Sequence, residues 1–241
     1  MRCAIVIPAR MGSVRFPGKP LADLCGKPMV QWVWEAAQAS GIADKVIIAT
    51  PDQEIIEAGR SFGAEGILTS HDHNTGTDRI SEVARNLEAE VYVNVQGDEP
   101  LILPETIRAC TEPVLADSRV QMASGYCLCP EDEYDNPAVV KVVTDGEGFA
   151  HYFSRFPIPF PRNPRVLPIK KHLGIYVFRR EPLLKFAEWP QSPLELAESL
   201  EQLRFLHNGV RILMTQVPPA EVAVDTPEQA EQVREILRRR S

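Results

Sequence analysis

Positive charge is in short supply. Lys and Arg total 26 against 33 Asp and Glu, for a formal net charge of −7 and a pI near 5.4. That balance argues against nucleic acid as a partner, because such binding leaves a basic footprint. A small anionic ligand stays open, since one local cationic cleft outweighs a diffuse average. Long apolar runs are missing too: none approaches the ~20 residues of a membrane span. The first run, Cys3 to Ile7, is too short for a signal h-region, so no membrane partner is expected. Cysteines are few and odd in number (Cys3, Cys25, Cys110, Cys127 and Cys129), which points to reduced thiols and a cytoplasmic location. Cys127 and Cys129 lack a second Cys/His pair at zinc-finger spacing, which argues against zinc. Repeats, low-complexity tracts and flexible linkers are absent as well.

What is present is a chain of 241 residues, 44% hydrophobic, enough for a real core. Short apolar runs alternate with amphipathic segments. Cys3–Ile7, Lys45–Thr50, Glu65–Thr69 and Val91–Val95 read as strands. Val30–Ala39, Asp52–Phe62 and Asp78–Leu87 read as helices, the first two stopped by Gly41 and Gly63. This alternation predicts an α/β fold with a mostly parallel sheet covered on both faces. Farther on, Pro104–Ala116, Pro193–Leu206 and Pro227–Arg240 read as helices. Gln121–Leu128, Val139–Thr144, Lys171–Phe178 and Val210–Gln216 read as strands. The stretch 156–168 holds five prolines and reads as an ordered loop or arm. One domain over 1–241 is expected, with a β-rich insertion around 121–178.

The most informative stretch follows the first strand: Pro8-Ala9-Arg10-Met11-Gly12-Ser13-Val14-Arg15-Phe16-Pro17-Gly18-Lys19-Pro20. In open parallel sheets ligands gather beyond the carboxyl ends of strands, and here that position carries Arg10, Arg15 and Lys19. Gly12 and Gly18 permit close backbone approach. Cations with amide donors suit a triphosphate. The segment is not a Walker A loop: five residues separate Gly12 from Gly18-Lys19, and Pro20 stands where a Ser or Thr would hold magnesium. The competing reading is a solvated basic loop. Placement after the first strand favours the phosphate cradle.

Two acidic turns stand out. Val91–Val95 runs into Gln96-Gly97-Asp98-Glu99-Pro100, which puts Asp98 at a strand's carboxyl end. Far along the chain, Val224-Asp225-Thr226-Pro227 supplies a second carboxylate. Magnesium takes one or two carboxylates plus phosphate oxygens, so Asp98 and Asp225 are candidate metal ligands if the fold unites them. Asp225 or Thr226 is equally a helix N-cap ahead of Pro227, and Asp98 reads also as a turn residue.

The run Ala9–Leu21 resembles the N-terminal loop of the 3-deoxy-manno-octulosonate cytidylyltransferases (CMP-Kdo synthetases). So do Asn94–Pro100, His172-Leu173-Gly174-Ile175-Tyr176, Leu200-Glu201-Gln202-Leu203-Arg204 and Val224–Glu228, in family order over nearly the whole chain. The resemblance implies the reaction CTP + Kdo → CMP-Kdo + pyrophosphate in lipopolysaccharide assembly. It also implies a Rossmann-like nucleotide-diphospho-sugar transferase fold, Mg2+ and a homodimer. By that resemblance Arg10 and Lys19 bind phosphates and act in catalysis with Asp98 and Asp225. Pro8, Ala9, Gly97 and the run Thr75-Gly76-Thr77-Asp78-Arg79 line the nucleotide site, although the family more often has Glu at Asp78. Arg15, Gln96, Arg155, His172, Tyr176, Glu201 and Gln202 face the sugar acid, Kdo or a sister acid such as 8-amino-Kdo or sialic acid.

The residues themselves allow plainer readings on the sugar side. His172 and Tyr176 share one face of a strand, where a half-buried histidine is ordinary. Glu201 and Gln202 lie on a helix whose buried stripe reads as Leu196, Leu200, Leu203 and Leu206, and polar residues beside such a stripe are usually solvated.

Overall fold

Strands with no polar face form the centre of the molecule in the computed structural model, which describes residues 1–163, 167–219 and 221–240. β1 (Cys3–Pro8) is followed by a small hairpin, β2 (Asp23–Leu24) and β3 (Lys27–Pro28), then α1 (Met29–Ala39). Next come β4 (Lys45–Thr50), α2 (Gln53–Ser61), β5 (Glu65–Leu68), α3 (Gly76–Asn86), β6 (Val91–Asn94) and α4 (Pro104–Ala116). The second half contains β7 (Met122–Leu128), β8 (Lys141–Thr144), β9 (Ala150–Ser154), β10 (Lys170–Arg179) and α5 (Arg180–Phe186). It closes with α6 (Pro193–Glu198), α7 (Gln202–His207), β11 (Ile212–Gln216) and α8 (Pro227–Arg240).

Among the described residues the main sheet has nine strands, in the order β11-β7-β10-β6-β1-β4-β5, with β8 and β9 attached beside β10. β1 pairs in parallel with both β4 and β6, and β11 with β7. β10 is antiparallel to β6, β7 and β8. The sheet is therefore mostly parallel, as the alternation of strands and helices predicts. The stretch 121–178 supplies β7 and β10 to this sheet and the β8–β9 hairpin at its flank.

Alternation along β1 explains the two layers. Cys3, Ile5 and Ile7 pack with Val30 and Val33 of α1, Ile55 of α2 and Ile107 of α4. Ala4 and Val6 face the other way, with Ile80 and Val83 of α3, Phe186 of α5 and Leu203 of α7. Successive side chains of a strand point to opposite faces, and burying one Val or Ile stabilises the fold by about 1.5–3 kcal/mol. α8 closes a smaller cluster in which Val224, Val233 and Leu237 meet Leu24, Met29 and Leu101. No helix among the described residues is long and apolar enough to cross a membrane.

Several elements differ from the sequence reading. The single helix expected over Pro193–Leu206 is two, because Ser199 takes a left-handed conformation (φ 52°) and ends α6. Leu196 is 61% exposed and leaves the expected stripe, while Leu200 and Leu203 stay buried. α3 starts at Gly76, ahead of the expected Asp78, because Thr75 and Asp78 form a reciprocal capping box. β9 and α5, unassigned from sequence, are short elements: β9 pairs with β8, and Phe153 of β9 and Phe186 of α5 are buried in the same cluster. Of the proline-rich 156–168 segment, residues 164–166 lie outside the described residues, and the others form loop.

Candidate active site

The segments beyond the carboxyl ends of β1 and β6, with the start of α3, enclose a cleft of about 370 Å³. Its rim is the loop after β1. Met11 N–H donates to Asp52 Oδ2 at 2.7 Å, and Gly18 N–H to the Met11 carbonyl at 3.0 Å. Gly18 (φ 74°) then turns the chain so that Lys19 points inward. Gly97 permits the close approach of β6 to β1: a Cβ there would lie 2.6 Å from the Pro8 carbonyl oxygen.

Lys19 stands at the centre of the charged wall, its side chain 14% exposed. Its Nζ donates to Asp98 Oδ2 at 2.7 Å, to Asp225 Oδ1 at 3.1 Å and to the Val224 carbonyl at 3.1 Å. Arg15 meets the other oxygen of Asp225 at 3.0 Å. Backbone pairing holds the two acidic turns together, Val224 N–H donating to the Asp98 carbonyl at 2.8 Å. The two carboxylates, remote in sequence, therefore share one cation.

Opposite them the cleft is cationic. Arg10 is exposed on its wall, and Arg79 is buried with its guanidinium bonded to Thr69 Oγ1 and, at 2.9 Å, to the Ser70 carbonyl. Burial first, and the Arg10 charge second, hold Arg79 below the usual guanidinium value. Two cations that repel across an open cleft favour an anion between them. Pro8, Ala9, Thr75, Gly76, Gly97, Arg15 and Gln96 complete the lining drawn from the expected site. Of the residues expected at the nucleotide, all but Thr77 and Asp78 therefore meet in one place, together with two expected at the sugar. Within the Thr75–Arg79 run, Thr77 and Asp78 do not line the cleft: Thr77 is fully buried and Asp78 faces its own cap. Helical rotation sends them to the far side of the turn.

The other five residues expected at the sugar do not line the cleft and group around Tyr176 instead. Tyr176 OH donates to Gln202 Oε1 at 3.3 Å. Thr77 Oγ1 donates to Glu201 Oε1 at 2.7 Å, and burial raises the Glu201 carboxyl. His172 Nε2 lies 2.9 Å from Ser124 Oγ, and burial pushes the imidazole down to about 3, so it is neutral near pH 7. Arg155 spends its guanidinium on backbone carbonyls, Glu198 at 2.8 Å and Pro137 at 3.0 Å. Gln202 is buried rather than solvated, and its Nε2 finds no acceptor among the described residues. Glu201 is half-buried beside it.

Three features escaped the sequence reading. Glu99 is pushed up to about 7 by burial and then by the Asp98 charge. Its Oε1 would lie 3.1 Å from a Cβ at Gly174, and its adjacency to Asp98 was the available signal. His73 lines the cleft and is bonded to Glu82 of α3. Asp52, read only as a helix start, anchors the rim loop through Met11.

A family model described as Cytidylyltransferase matches residues 4–212. A protein of Trichlorobacter lovleyi named 3-deoxy-manno-octulosonate cytidylyltransferase is 45% identical, with 99% of each chain covered. Its namesake in Geobacter sulfurreducens is 46% identical over 99% of this chain and 100% of its own. A solved structure titled CMP:2-keto-3-deoxy-manno-octonic acid synthetase complexed with CTP superposes with a TM-score of 0.97 at 41% identity, covering 100% of both chains.

Proposed function

The chain belongs to the cytidylyltransferase family, among the 3-deoxy-manno-octulosonate cytidylyltransferases, and from that premise we propose that it transfers the cytidylyl group of CTP to 3-deoxy-D-manno-octulosonate (Kdo). The sugar's anomeric oxygen forms a bond to the α-phosphorus, the bond from that phosphorus to the β-phosphate oxygen breaks, and the hydroxyl proton is released. CMP-Kdo and pyrophosphate are the products, and lipopolysaccharide assembly in the cytoplasm is the setting. The observation that carries this reading is the convergence of Asp98 and Asp225 on Lys19 Nζ, 2.7 and 3.1 Å away, at the rim of a cleft that also holds Arg10 and Arg79.

In this reading Arg10 and Lys19 receive the triphosphate and neutralise charge that develops on the departing pyrophosphate. Pro8, Ala9, Thr75, Gly76, Arg79 and Gly97 hold the rest of the nucleotide. Arg15 and Gln96, on the same cleft, reach the sugar from the nucleotide side. Arg155, His172, Tyr176, Glu201 and Gln202 serve it from the group around Tyr176.

Asp98 and Asp225 offer hard oxygen donors close enough to share one ammonium. Among the described residues no group of three or more His, Cys, Asp or Glu side chains is arranged as a metal cage. Two carboxylates completed by phosphate oxygens is the arrangement magnesium favours, so the residues fit Mg2+. When bound it would polarise the α-phosphate. A homodimer is part of the same proposal. Phe156 and Phe160, 71% and 82% exposed after β9, support it as apolar surface that a second copy would cover.

Pyrophosphate release tests the reaction. CTP, UTP and GTP are each offered with Kdo, 8-amino-Kdo and a sialic acid. Turnover is expected with CTP and Kdo. Turnover confined to another acid would overturn the substrate, and turnover confined to another nucleotide would overturn the cytidylyl assignment.

A further inference from the structure

We infer that Thr77 is a positioning residue for the sugar acid, acting through Glu201, and that the first turn of α3 joins the nucleotide and sugar sides of the site. The inference rests on the sugar-side reading of Glu201 given above.

Thr77 is completely buried, and its hydroxyl is paired: Oγ1 donates to Glu201 Oε1 at 2.7 Å. A buried hydroxyl on a carboxylate is a charge-assisted bond, and it fixes both the rotamer of Glu201 and which of its oxygens remains for a ligand. Thr75 also reaches the Glu201 carboxyl, but with Gly76 it has a second role. Thr75 and Gly76 line the nucleotide cleft. One helical turn therefore presents its outer edge to the nucleotide and its inner edge to Glu201.

That turn is rigid. Thr75 Oγ1 accepts from Asp78 N–H at 3.1 Å, and Asp78 Oδ2 accepts from Thr75 N–H at 3.1 Å. The other oxygen of Asp78 faces Arg204 of α7 at 4.0 Å. The first turn of α3, with its cap, and the segment carrying Glu201 are thus joined through Thr77–Glu201, Thr75–Glu201 and Asp78–Arg204. A nucleotide seated against Thr75 and Gly76 presses on the element that aims Glu201.

The test compares Thr77→Val, which keeps the shape and removes the hydroxyl, with Thr77→Ser, which keeps the hydroxyl. Kdo and CTP are each titrated at saturation of the other, with thermal unfolding measured alongside and Glu201→Gln as the reference. Thr77→Val should raise KM for Kdo about tenfold or more, the scale of a lost hydrogen bond to a charged group, while KM for CTP stays within about twofold and Thr77→Ser returns KM for Kdo to within about threefold of wild type. Unchanged KM for Kdo in Thr77→Val, an equal rise for both substrates, or failure of Thr77→Ser to rescue would overturn the inference. If Glu201→Gln itself has a wild-type KM for Kdo, the sugar-side reading of Glu201 falls and the inference with it. If Glu201→Gln is impaired and Thr77→Val is not, only the inference falls.

Discussion

Asp98 and Asp225 accept hydrogen bonds from the same nitrogen, Lys19 Nζ, at 2.7 and 3.1 Å. A bare carboxylate pair this close repels itself. Here Lys19 and Arg15 balance it, and Val224 N–H ties the two turns through backbone. The pair keeps its geometry while both side chains stay partly open to solvent: Asp98 is 33% and Asp225 40% exposed.

Asp98→Asn and Asp225→Asn should each lower turnover by roughly 10²–10³, the scale of one lost electrostatic contact in a transition state. Their partial exposure means that the melting temperature should hardly move. Steady-state pyrophosphate release and a thermal melt check both halves. Wild-type turnover in either variant removes that residue from the chemistry.

Gly97→Ala places a methyl group where a Cβ would lie 2.6 Å from the Pro8 carbonyl oxygen. Neither backbone yields without moving β1 from β6, so about 1–3 kcal/mol of destabilisation is expected, as for other overpacked sites. CTP binding should weaken in parallel, since both strand ends line the cleft. Urea unfolding and a CTP titration read the two effects, and an alanine variant that matched wild type in both would refute the close-approach role.

His172 is neutral in the fold because burial pushes its imidazole down from 6.5 to about 3. Between those values the unfolded chain binds the proton and the native state does not, so this group's contribution to stability falls as pH drops from 6.5 toward 3. His172→Gln removes the titration and keeps a polar partner for Ser124 Oγ. The loss of stability between pH 7 and pH 5, read as urea midpoints, should be smaller in the variant than in wild type. An identical loss would mean that His172 is protonated in the native state.

Much of the fold is legible in the sequence alone. Lys45–Thr50, Pro104–Ala116 and Pro227–Arg240 match their elements end to end, because apolar periodicity and terminal prolines are local signals. That the loop after β1 borders a cleft was also readable, since in open parallel sheets ligands gather beyond the carboxyl ends of strands. The break at Ser199 was not, because a left-handed serine carries no mark in sequence. Burial of Gln202 was missed for a related reason: the period of one long helix placed it on a solvated face that does not exist once α6 and α7 separate.

From sequence alone came the α/β alternation, the cationic loop and the two acidic turns, each dictated by side chains within a few residues of one another. Tertiary structure decided which of these meet. The union of Asp98 with Asp225, the split of the expected sugar residues between cleft and interior, and the inward turn of Thr77 depend on strand order and helix rotation, and those follow from how distant apolar faces bury one another.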